Sequence, residues 1–223
     1  MKFSIIIAAL NEEKMLSLNK DFFERLKRYL RAELIIVDGG STDNTVDVAK
    51  SLTENIYFTQ PLRSRQFNIG AINAKGNYLI FLHADTKIDK LSMSNIKIIK
   101  QDISWGFLKI KLDGKDIKYK FLSICINLRS RIFNYATGDQ VLVIKKTLFN
   151  QLNGFKEISL MEDIELVDRL KNITNPTFIN GTAITSVRRW EKFGYLTTIL
   201  RMRYLRLLYY LGVNPKKLIK MYK

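Results

Sequence analysis

The sequence predicts an α/β fold in which helices flank a mostly parallel sheet, and three observations indicate it. Short continuous apolar runs alternate with helical patterns through the first 86 residues. The runs are rich in β-branched residues and lack polar alternation, as expected of parallel strands that are buried on both faces. Carboxylates and tight-turn glycines follow three of these runs, at the sheet edge where such folds bind ligands.

The predicted elements of the first half follow from these patterns. The strands are 4–8, 33–37, 56–59 and 78–82, and the helices between them are 21–32, 43–52 and 64–75. Phe22, Leu26 and Tyr29 share one face of the first helix. Residues 41–43 supply an N-cap for the second helix, and Gly76 closes the third.

The second half is less regular, so its elements depend on shorter patterns. We predict strands at 105–112, 139–145, 177–180 and 184–187, and helices at 119–135, 161–171 and 195–211, with a short turn after Pro215. No linker composition interrupts the chain, and 47% of its 223 residues are hydrophobic. We therefore expect one domain over 1–223.

The cysteine content and the hydropathy pattern exclude several classes of protein. Cys125 is the single cysteine, which excludes an internal disulfide and a cysteine-rich zinc site. It lies in an apolar run, where we expect a buried small side chain and a reducing, cytoplasmic compartment. No run of 18 apolar residues is present, and the apolar start 3–10 continues directly into acidic residues. Neither a transmembrane helix nor a signal peptide is predicted.

The charge is strongly positive and concentrated near the end of the sequence. The net charge is +16, and 188–223 holds ten basic residues against one acid, Glu191. Aromatic residues are interleaved with these charges. Basic aromatic helices bind anionic membranes, so this segment favours a peripheral location at the inner face of the membrane. Nucleic acid, which uses similar residues, is the less favoured partner.

Polar residues follow three of the predicted strands. The segments are 11–13 (NEE), 38–40 (DGG) and 83–85 (HAD). Turn chemistry explains the glycines, but folding alone does not require three separate acidic clusters at one edge. A site that holds a metal ion and a polar ligand does require them.

These segments belong to longer motifs that resemble family 2 glycosyltransferases, in family order. The motifs are 4–13 (SIIIAALNEE), 34–45 (LIIVDGGSTDNT), 63–70 (RSRQFNIG), 81–86 (FLHADT), 138–140 (GDQ), 154–155 (GF), 160–166 (LMEDIEL) and 188–190 (RRW). The His-Ala-Asp at 83–85 stands where the family usually has Asp-x-Asp, and it resembles one bacterial subgroup.

The resemblance implies a GT-A (Rossmann-like) fold and a metal-assisted, inverting transfer. A sugar would move from a nucleotide-diphosphate sugar to an acceptor hydroxyl or phosphate, with Mg²⁺ or Mn²⁺ as the cofactor. The nucleotide-binding half would be 1–86, the acceptor half 87–187, and 188–223 a basic aromatic helical segment. The acceptor is unknown, and a lipid-linked one would suit a membrane location.

On the donor side, the resemblance assigns Asp85 as the metal ligand, because hard carboxylate oxygens hold such ions. His83 would contact the ribose or the pyrophosphate, and Asp38 the base or ribose. Ala9 and Glu12 would line the nucleotide pocket. Turn formation is the structural alternative for both aspartates, and a solvated side chain is the alternative for Glu12.

Basic residues would bind the donor diphosphate. Arg65 begins a helix, where cations and free amides suit phosphate, and Arg63 would assist it. Arg189 and Trp190, with Arg188 before them, resemble a motif that closes over the diphosphate in some relatives. A basic surface patch is the alternative for these three residues.

On the acceptor side, Asp163 would be the catalytic base, and Glu162 precedes it as part of the same motif. An inverting transfer needs one base for the acceptor hydroxyl, and helix capping is the structural alternative for the pair. The periodicity of a helix directs Glu165 elsewhere. Asp139 would shape the acceptor pocket.

Two rival functions are considered. A sugar-phosphate nucleotidyltransferase would need a glycine-rich basic loop after the first strand, and 11–13 lacks one. A non-catalytic, basic membrane- or nucleic-acid-binding protein on a transferase fold remains open, because His83 replaces an acid. Turnover separates the second rival from an enzyme.

Overall fold

The computed structural model describes residues 2–99 and 103–222, and its described strands form one eight-stranded sheet. The strands are β1 (Phe3–Ala9), β2 (Glu33–Asp38), β3 (Ile56–Phe58), β4 (Tyr78–His83), β5 (Thr86–Ile88), β6 (Trp105–Leu112), β7 (Leu142–Lys145) and β8 (Thr177–Thr185). Their order across the sheet is β3-β2-β1-β4-β7-β6-β8-β5. The predicted α/β class is confirmed.

Helices pack on both faces of this sheet. They are α1 (Glu13–Leu18), α2 (Lys20–Leu30), α3 (Thr45–Lys50), α4 (Arg63–Asn73), α5 (Lys90–Lys97), α6 (Ile117–Phe133), α7 (Lys146–Gln151), α8 (Glu162–Ile173), α9 (Arg188–Phe193), α10 (Tyr195–Tyr210) and α11 (Pro215–Tyr222). Five elements, α1, α5, α7, α9 and β5, were not predicted from the sequence. Each spans eight residues or fewer, which is too short for a periodic pattern to stand out.

The first four strands of the sheet are parallel and centred on β1. Ala9 of β1 lies opposite Asp38 of β2, and Ala8 lies opposite His83 of β4. The carboxyl ends of these three strands therefore meet at one edge, as the sequence predicts. Alternate residues of β1 enter different apolar clusters: Ile5 packs on one face of the sheet and Ile6 on the other.

The other half of the sheet is mixed. Strand β7 runs antiparallel to both β4 and β6, β8 runs parallel to β6, and β5 runs antiparallel to β8. Two predicted strands, 177–180 and 184–187, are one continuous strand, β8. Its pairing with β6 skips from Leu108–Ile179 to Lys109–Thr182, so a bulge absorbs Asn180 and the glycine after it.

The strand predicted to begin at Asp139 begins at Leu142 instead, so this boundary was wrong. Gly138–Gln140 form a 3₁₀ turn. Thr137 and Gln140 cap it reciprocally: the Thr137 N–H donates to Gln140 Oε1 at 3.2 Å, and the Gln140 N–H donates to the Thr137 carbonyl at 2.9 Å. This local pairing satisfies backbone groups that a strand would have satisfied across the sheet.

Two details of burial differ from the sequence prediction. Tyr29 is exposed, and Phe23 completes the buried face of α2 with Phe22, Leu26 and Leu30. Cys125 is half-buried and not fully enclosed. The apolar spacing locates the buried face of α2 only to within about one residue. The buried face therefore includes Phe23, which follows the predicted Phe22, and excludes Tyr29.

The predicted basic helical segment is confirmed as α9, α10 and α11, and Lys223 lies outside the described residues. Helices α6 and α10 run in the same direction and approach each other near both ends. The Tyr195 hydroxyl at the start of α10 donates to the Lys118 carbonyl at 3.0 Å, and at their far ends the Tyr135 and Tyr210 hydroxyls are 3.4 Å apart. No helix among the described residues is long and apolar enough to cross a membrane.

Candidate active site

Gln66 of α4 joins β1 to β2 at the sheet edge where β1, β2 and β4 end. The buried Gln66 Nε2 donates to the Ala9 carbonyl at 2.7 Å and to the Val37 carbonyl at 2.8 Å. Ala9 is fully buried and its carbonyl also accepts from the Gly39 N–H at 2.9 Å, so its contact with a nucleotide stays a prediction. The sequence analysis did not single out Gln66, because a glutamine on a helix carries no pattern of its own.

Asp38 closes the turn that follows β2. Its Oδ2 accepts hydrogen bonds from the Gly40 and Ser41 N–H groups at 2.8 and 2.9 Å, and its Oδ1 accepts one from the Ser41 hydroxyl. Gly40 has φ +88°, a left-handed conformation that glycine adopts without strain. Both carboxylate oxygens therefore serve the turn, and the contact of Asp38 with a nucleotide stays a prediction.

Glu12 and Asp85 come together through Arg188. Arg188 Nη2 lies 2.8 and 3.1 Å from the two carboxylate oxygens of Glu12, and its Nε lies 3.5 Å from Asp85 Oδ2. The hydrogen bond to Glu12 raises the pKa of Arg188 above its ordinary value. The arginine that reaches the predicted metal ligand is thus Arg188, the first residue of its motif.

His83 and Asp163 meet at Gly138. The Gly138 N–H donates to Asp163 Oδ2 at 2.8 Å, and His83 Nδ1 lies 3.3 Å from Asp139 Oδ1. A β-carbon on Gly138 would lie 3.1 Å from His83 Nε2 and 3.4 Å from Asp163 Oδ2. The absence of a side chain at this position allows the predicted base and the histidine to approach one another.

The pKa of Asp139 is lowered. Burial acts to raise it, but the hydrogen bond with His83 and the positive charges of His83, Arg63 and Arg189 outweigh that effect. Asp139 and His83 therefore belong to the same electrostatic cluster as the predicted base, although Asp139 was assigned to the acceptor side from a motif alone.

Arg63 and Arg65 lie on the same helix but make different ion pairs. Arg63 Nε donates to Glu162, whose side chain is only 3% exposed. The charge of Glu162, followed by that of Asp163, raises the pKa of Arg63. Arg65 pairs with Glu157 at 2.8 Å. The structure thus places Arg63 beside the predicted catalytic pair, whereas the described contacts of Arg65 lie elsewhere.

Arg189 and Trp190 point to different surroundings. The guanidinium carbon of Arg189 lies 3.6 Å from the ring centroid of Tyr222. Burial is the main cause that raises the pKa of Tyr222, and the nearby charges of Asp139 and Asp163 raise it as well. Trp190 packs beside Tyr195 in a separate apolar cluster. Arg189 therefore joins the site, and the described contacts of Trp190 do not reach it.

Glu165, two residues beyond the predicted base, pairs with Arg169 at 2.6 Å, as its helical position suggests.

Four residues of the site were missed or given a minor part: Arg63, Gln66, Arg188 and Tyr222. For Arg188 the signal was available, since it lies in the same motif as Arg189. For Tyr222 no local pattern exists.

Asp85 suits one mode of metal binding. Mg²⁺ and similar ions are often held by one or two carboxylates together with substrate phosphates. Asp85 offers a half-buried carboxylate just beyond the end of β4. No group of three or more His, Cys, Asp or Glu side chains with metal-binding geometry occurs among residues 2–99 and 103–222. The residues present therefore fit an ion that arrives with a diphosphate.

The sequence and the fold both resemble those of known proteins. Residues 4–95 match the family model described as Glycosyl transferase family 2. No curated protein matches the sequence. Among solved structures, S. aureus TarS (residues 1–349) superposes with a TM-score of 0.62 at 18% identity, over 83% of this chain and 60% of TarS.

Two further solved structures share the fold. The mannosyltransferase PcManGT from Pyrobaculum calidifontis, in complex with GDP-Man and Mn²⁺, gives a TM-score of 0.64 at 16% identity, over 93% of this chain and 61% of that one. Glucosyl-3-phosphoglycerate synthase from Mycobacterium tuberculosis, with Mg²⁺ and UDP, gives 0.56 at 15% identity, over 83% and 69%.

These comparisons show the GT-A fold predicted from the resemblance. The chain spans about 60% of the length of the TarS 1–349 fragment and of PcManGT. Together, the family match over 4–95 and the shared fold support an enzyme of the glycosyltransferase class.

Proposed function

We propose that this chain transfers a sugar from a nucleotide-diphosphate sugar to an acceptor, with inversion and with the help of a divalent cation. One observation carries the proposal. The carboxylate of Asp163 is held by the Gly138 N–H at 2.8 Å, beside His83 at the end of β4. Asp163, the base that we propose, comes from the second half of the chain and lies at the edge of the half that matches the family model.

The donor would lie across the ends of β1, β2 and β4. TarS has been solved with UDP-GlcNAc and PcManGT with GDP-Man, and we infer a similar class of donor for this chain. Arg188, Arg189 and Arg63 supply cations close to this edge, where a diphosphate would exchange its water for charge-assisted hydrogen bonds. Arg65 remains a weaker candidate for diphosphate binding, because Glu157 already neutralises its charge.

Asp85 would hold Mg²⁺ or Mn²⁺ together with the diphosphate oxygens. The ion, when bound, would neutralise the charge that develops on the leaving nucleoside diphosphate. Arg188 would then exchange Asp85 for the diphosphate, while it keeps Glu12 as a partner at 2.8 Å.

Asp163 would take the proton of the acceptor hydroxyl. As that oxygen bonds to the anomeric carbon, the bond from this carbon to the diphosphate oxygen breaks, and its electron pair leaves with the nucleotide. Attack from the face opposite the leaving group inverts the anomeric centre. Asp163 is the second residue of α8, where the helix dipole stabilises its carboxylate, and the Gly138 and Ile164 N–H groups orient its two oxygens.

A thermal-shift panel tests the proposal. UDP, GDP, CDP and dTDP are each added with and without Mn²⁺ to the native protein, to Asp85→Asn and to Asp47→Asn, an exposed aspartate on α3 that serves as the control. Because a ligand that binds only the folded state raises the melting temperature, we expect a Mn²⁺-dependent rise with one nucleotide.

The rise should persist in Asp47→Asn and disappear in Asp85→Asn. Folded native protein that responds to none of the nucleotides would refute the donor assignment, and it would favour a non-catalytic protein on a transferase fold. Product analysis by NMR then tests inversion, since a retained anomeric configuration would contradict the single-base mechanism.

A further inference from the structure

Two arginines lie between α6 and α10 with buried N–H groups that lack acceptors. Within the described part of the chain, no hydrogen-bond partner exists for Arg129 Nε and Nη2 or for Arg206 Nε, and all three atoms are buried. Burial of an unpaired guanidinium N–H is costly, and native proteins rarely retain it without a reason.

The surroundings of these arginines increase the cost. Their guanidinium carbons lie 5.3 Å (Arg129) and 5.6 Å (Arg206) from the ring centroid of Tyr135, and Lys171 Nζ lies 5.7 Å from the same centroid. Burial, and then the charge of Arg206, lowers the pKa of Arg129 to about 10. Three cations therefore share one aromatic ring, which offers much less stabilisation than a carboxylate would.

The nearest acidic groups do not neutralise the pair. No carboxylate in the described residues forms an ion pair with Arg129 or Arg206 within 4.0 Å. The charge of Asp163 nevertheless reaches Arg129. Arg129 is therefore near enough to the predicted catalytic base for the two charges to interact, although the two groups form no ion pair in the described residues.

We propose that Arg129 and Arg206 bind an oxyanion, a phosphate or carboxylate group, carried by the acceptor. This inference rests on the proposed function, because it places the acceptor hydroxyl at Asp163. An oxyanion held by the two guanidinium groups would offset their charges and accept their hydrogen bonds in the planar geometry that guanidinium groups favour. A neutral acceptor would leave them unpaired.

Inorganic phosphate is the probe for this site. The melting temperature is measured against phosphate concentration at constant ionic strength, with the nucleoside diphosphate and Mn²⁺ present to occupy the donor side. The variants are Arg129→Gln and Arg206→Gln, and Arg25→Gln on α2 is the exposed control. We expect the two variants to weaken phosphate binding by about tenfold or more, and the control to leave it unchanged.

Arg206→Lys guards against loss of folding, because it keeps the charge and removes the planar fork, so an intermediate loss is expected. Equal phosphate affinity in the native protein and both glutamine variants would overturn the inference. A nucleotide response without an Arg129-dependent phosphate response refutes only the acceptor site. A phosphate response without any nucleotide response refutes only the proposed donor chemistry.

The same variants identify the source of the oxyanion. Glycerol 3-phosphate and phosphatidylcholine vesicles that contain phosphatidic acid each present a phosphomonoester. Arginine-dependent binding of both assigns a phosphate that is recognised whether dissolved or lipid-borne, and binding of the vesicles alone assigns a lipid acceptor. Binding of neither would overturn the site.

A second observation concerns the outer faces of α6 and α10. Each helix presents a stripe of exposed apolar side chains, spaced three or four residues apart. On α6 they are 57–82% exposed and comprise Ile117, Phe121, Ile124, Leu128 and Ile132. Along α10 and its C-cap they are 53–69% exposed and comprise Leu196, Leu200, Tyr204, Leu207 and Leu211. Because α6 and α10 approach each other near both ends, we treat the two stripes together as one candidate surface, named here the helix-pair face.

The charges on these helices identify an occupant. Neither α6 nor α10 contains an acidic residue, and Lys118, Lys120, Arg131 and Arg203 are exposed on them. In a symmetric dimer the same patch meets itself, so a second copy would bring these cations together. An anionic bilayer would instead attract them and bury the apolar stripes.

We infer that the helix-pair face docks on an anionic lipid bilayer. Flotation with phosphatidylcholine vesicles, with and without phosphatidylglycerol, tests it on the native protein, on Ile124→Glu, on Leu200→Glu and on the control Ile72→Glu. Ile72 is also exposed but lies on α4. Binding should need the anionic lipid, fall with salt, and weaken by about tenfold or more in the first two variants only.

Two results would overturn this inference. One is equal flotation of the native protein and the two helix-pair variants. The other is a native dimer, measured by light scattering, that Ile124→Glu and Leu200→Glu convert to monomers, because the face would then be covered by a second copy.

Discussion

The guanidinium of Arg188 lies 3.5 Å from the carboxylate of Asp85, at the position where a divalent cation is expected to bind. The arginine and the ion therefore compete for one carboxylate. A diphosphate relieves the competition, because it supplies a new partner for Arg188. Binding of ion and nucleotide should consequently be cooperative.

Replacement of Arg188 should separate the two ligands. In Arg188→Gln, Mn²⁺ alone should bind about fivefold more tightly, since removal of one charge near 4 Å is worth ~1 kcal/mol in water. The nucleoside diphosphate should bind more weakly. Electron paramagnetic resonance of free Mn²⁺ measures the first effect, and Arg65→Gln is the control. Weaker Mn²⁺ binding in Arg188→Gln would contradict the competition.

Asp163→Asn should abolish turnover and spare donor binding. The amide oxygen still accepts from the Gly138 N–H, but the amide cannot take a proton. We expect turnover to fall by about 10²–10⁴-fold, with an unchanged nucleotide affinity. Asp168→Asn on the same helix is the control, since its carboxylate accepts from the Tyr210 hydroxyl at 3.2 Å and an amide oxygen can do the same. Activity comparable to the control would remove Asp163 from the mechanism.

Gly138→Ala should damage catalysis more than folding. Its new β-carbon would lie 3.1 Å from His83 Nε2, so the histidine or Asp163 must move by a few tenths of an ångström. Displacement of a catalytic group is expected to lower kcat/KM by about tenfold to a hundredfold. Parallel measurements of kcat/KM and of the melting temperature check this. An unaltered kcat/KM would show that the crowding at Gly138 has no catalytic role.

Arg63→Ala and Arg65→Ala should differ sharply in stability. Arg63→Ala leaves the buried Glu162 carboxylate unpaired, which costs about 3–5 kcal/mol of unfolding free energy. Arg65→Ala loses a pair with the exposed Glu157, which costs less than about 1 kcal/mol. Urea unfolding of both variants measures the difference. Similar losses would mean that the two ion pairs are equally solvated.

The N-cap of α5 should make stability depend on acid. Burial acts to raise the pKa of Asp89, but hydrogen bonds from Ser92 and Thr182 lower it by more. The net result is a pKa below the ordinary value of 3.8. Because the pKa is lower in the folded state, the ionised carboxylate stabilises the fold at pH values above its unfolded-state pKa. This contribution is lost as the pH falls through the folded-state pKa. Asp89→Ala should cost about 1 kcal/mol at pH 7.

The difference between Asp89→Ala and the native protein should stay constant down to about pH 5 and shrink below about pH 4. Urea unfolding across this range measures it. A difference that persists undiminished at low pH would show that the cap does not depend on the charge of Asp89.

Local patterns predicted the first half of the chain well, because each strand there is a continuous apolar run between turn residues. The same argument brought Asp38, His83 and the carboxylates after them to one edge. It failed at Gly138–Gln140, where side-chain capping replaced strand pairing, and at 177–187, where a bulge let one strand continue through Asn180. In both places the outcome depends on a partner that is distant in sequence.

The sequence by itself determined the class of the fold and the motif residues that meet at the edge where we expect ligands to bind, since strand period and turn chemistry are local properties. Only the tertiary structure decided that Arg188 reaches Glu12 from 176 residues away, and that Arg63, not Arg65, faces the predicted base. It also left Arg129 and Arg206 without partners. Ion pairs and orphaned donors depend on distances of a few ångströms across the packed elements, and no local pattern encodes those distances.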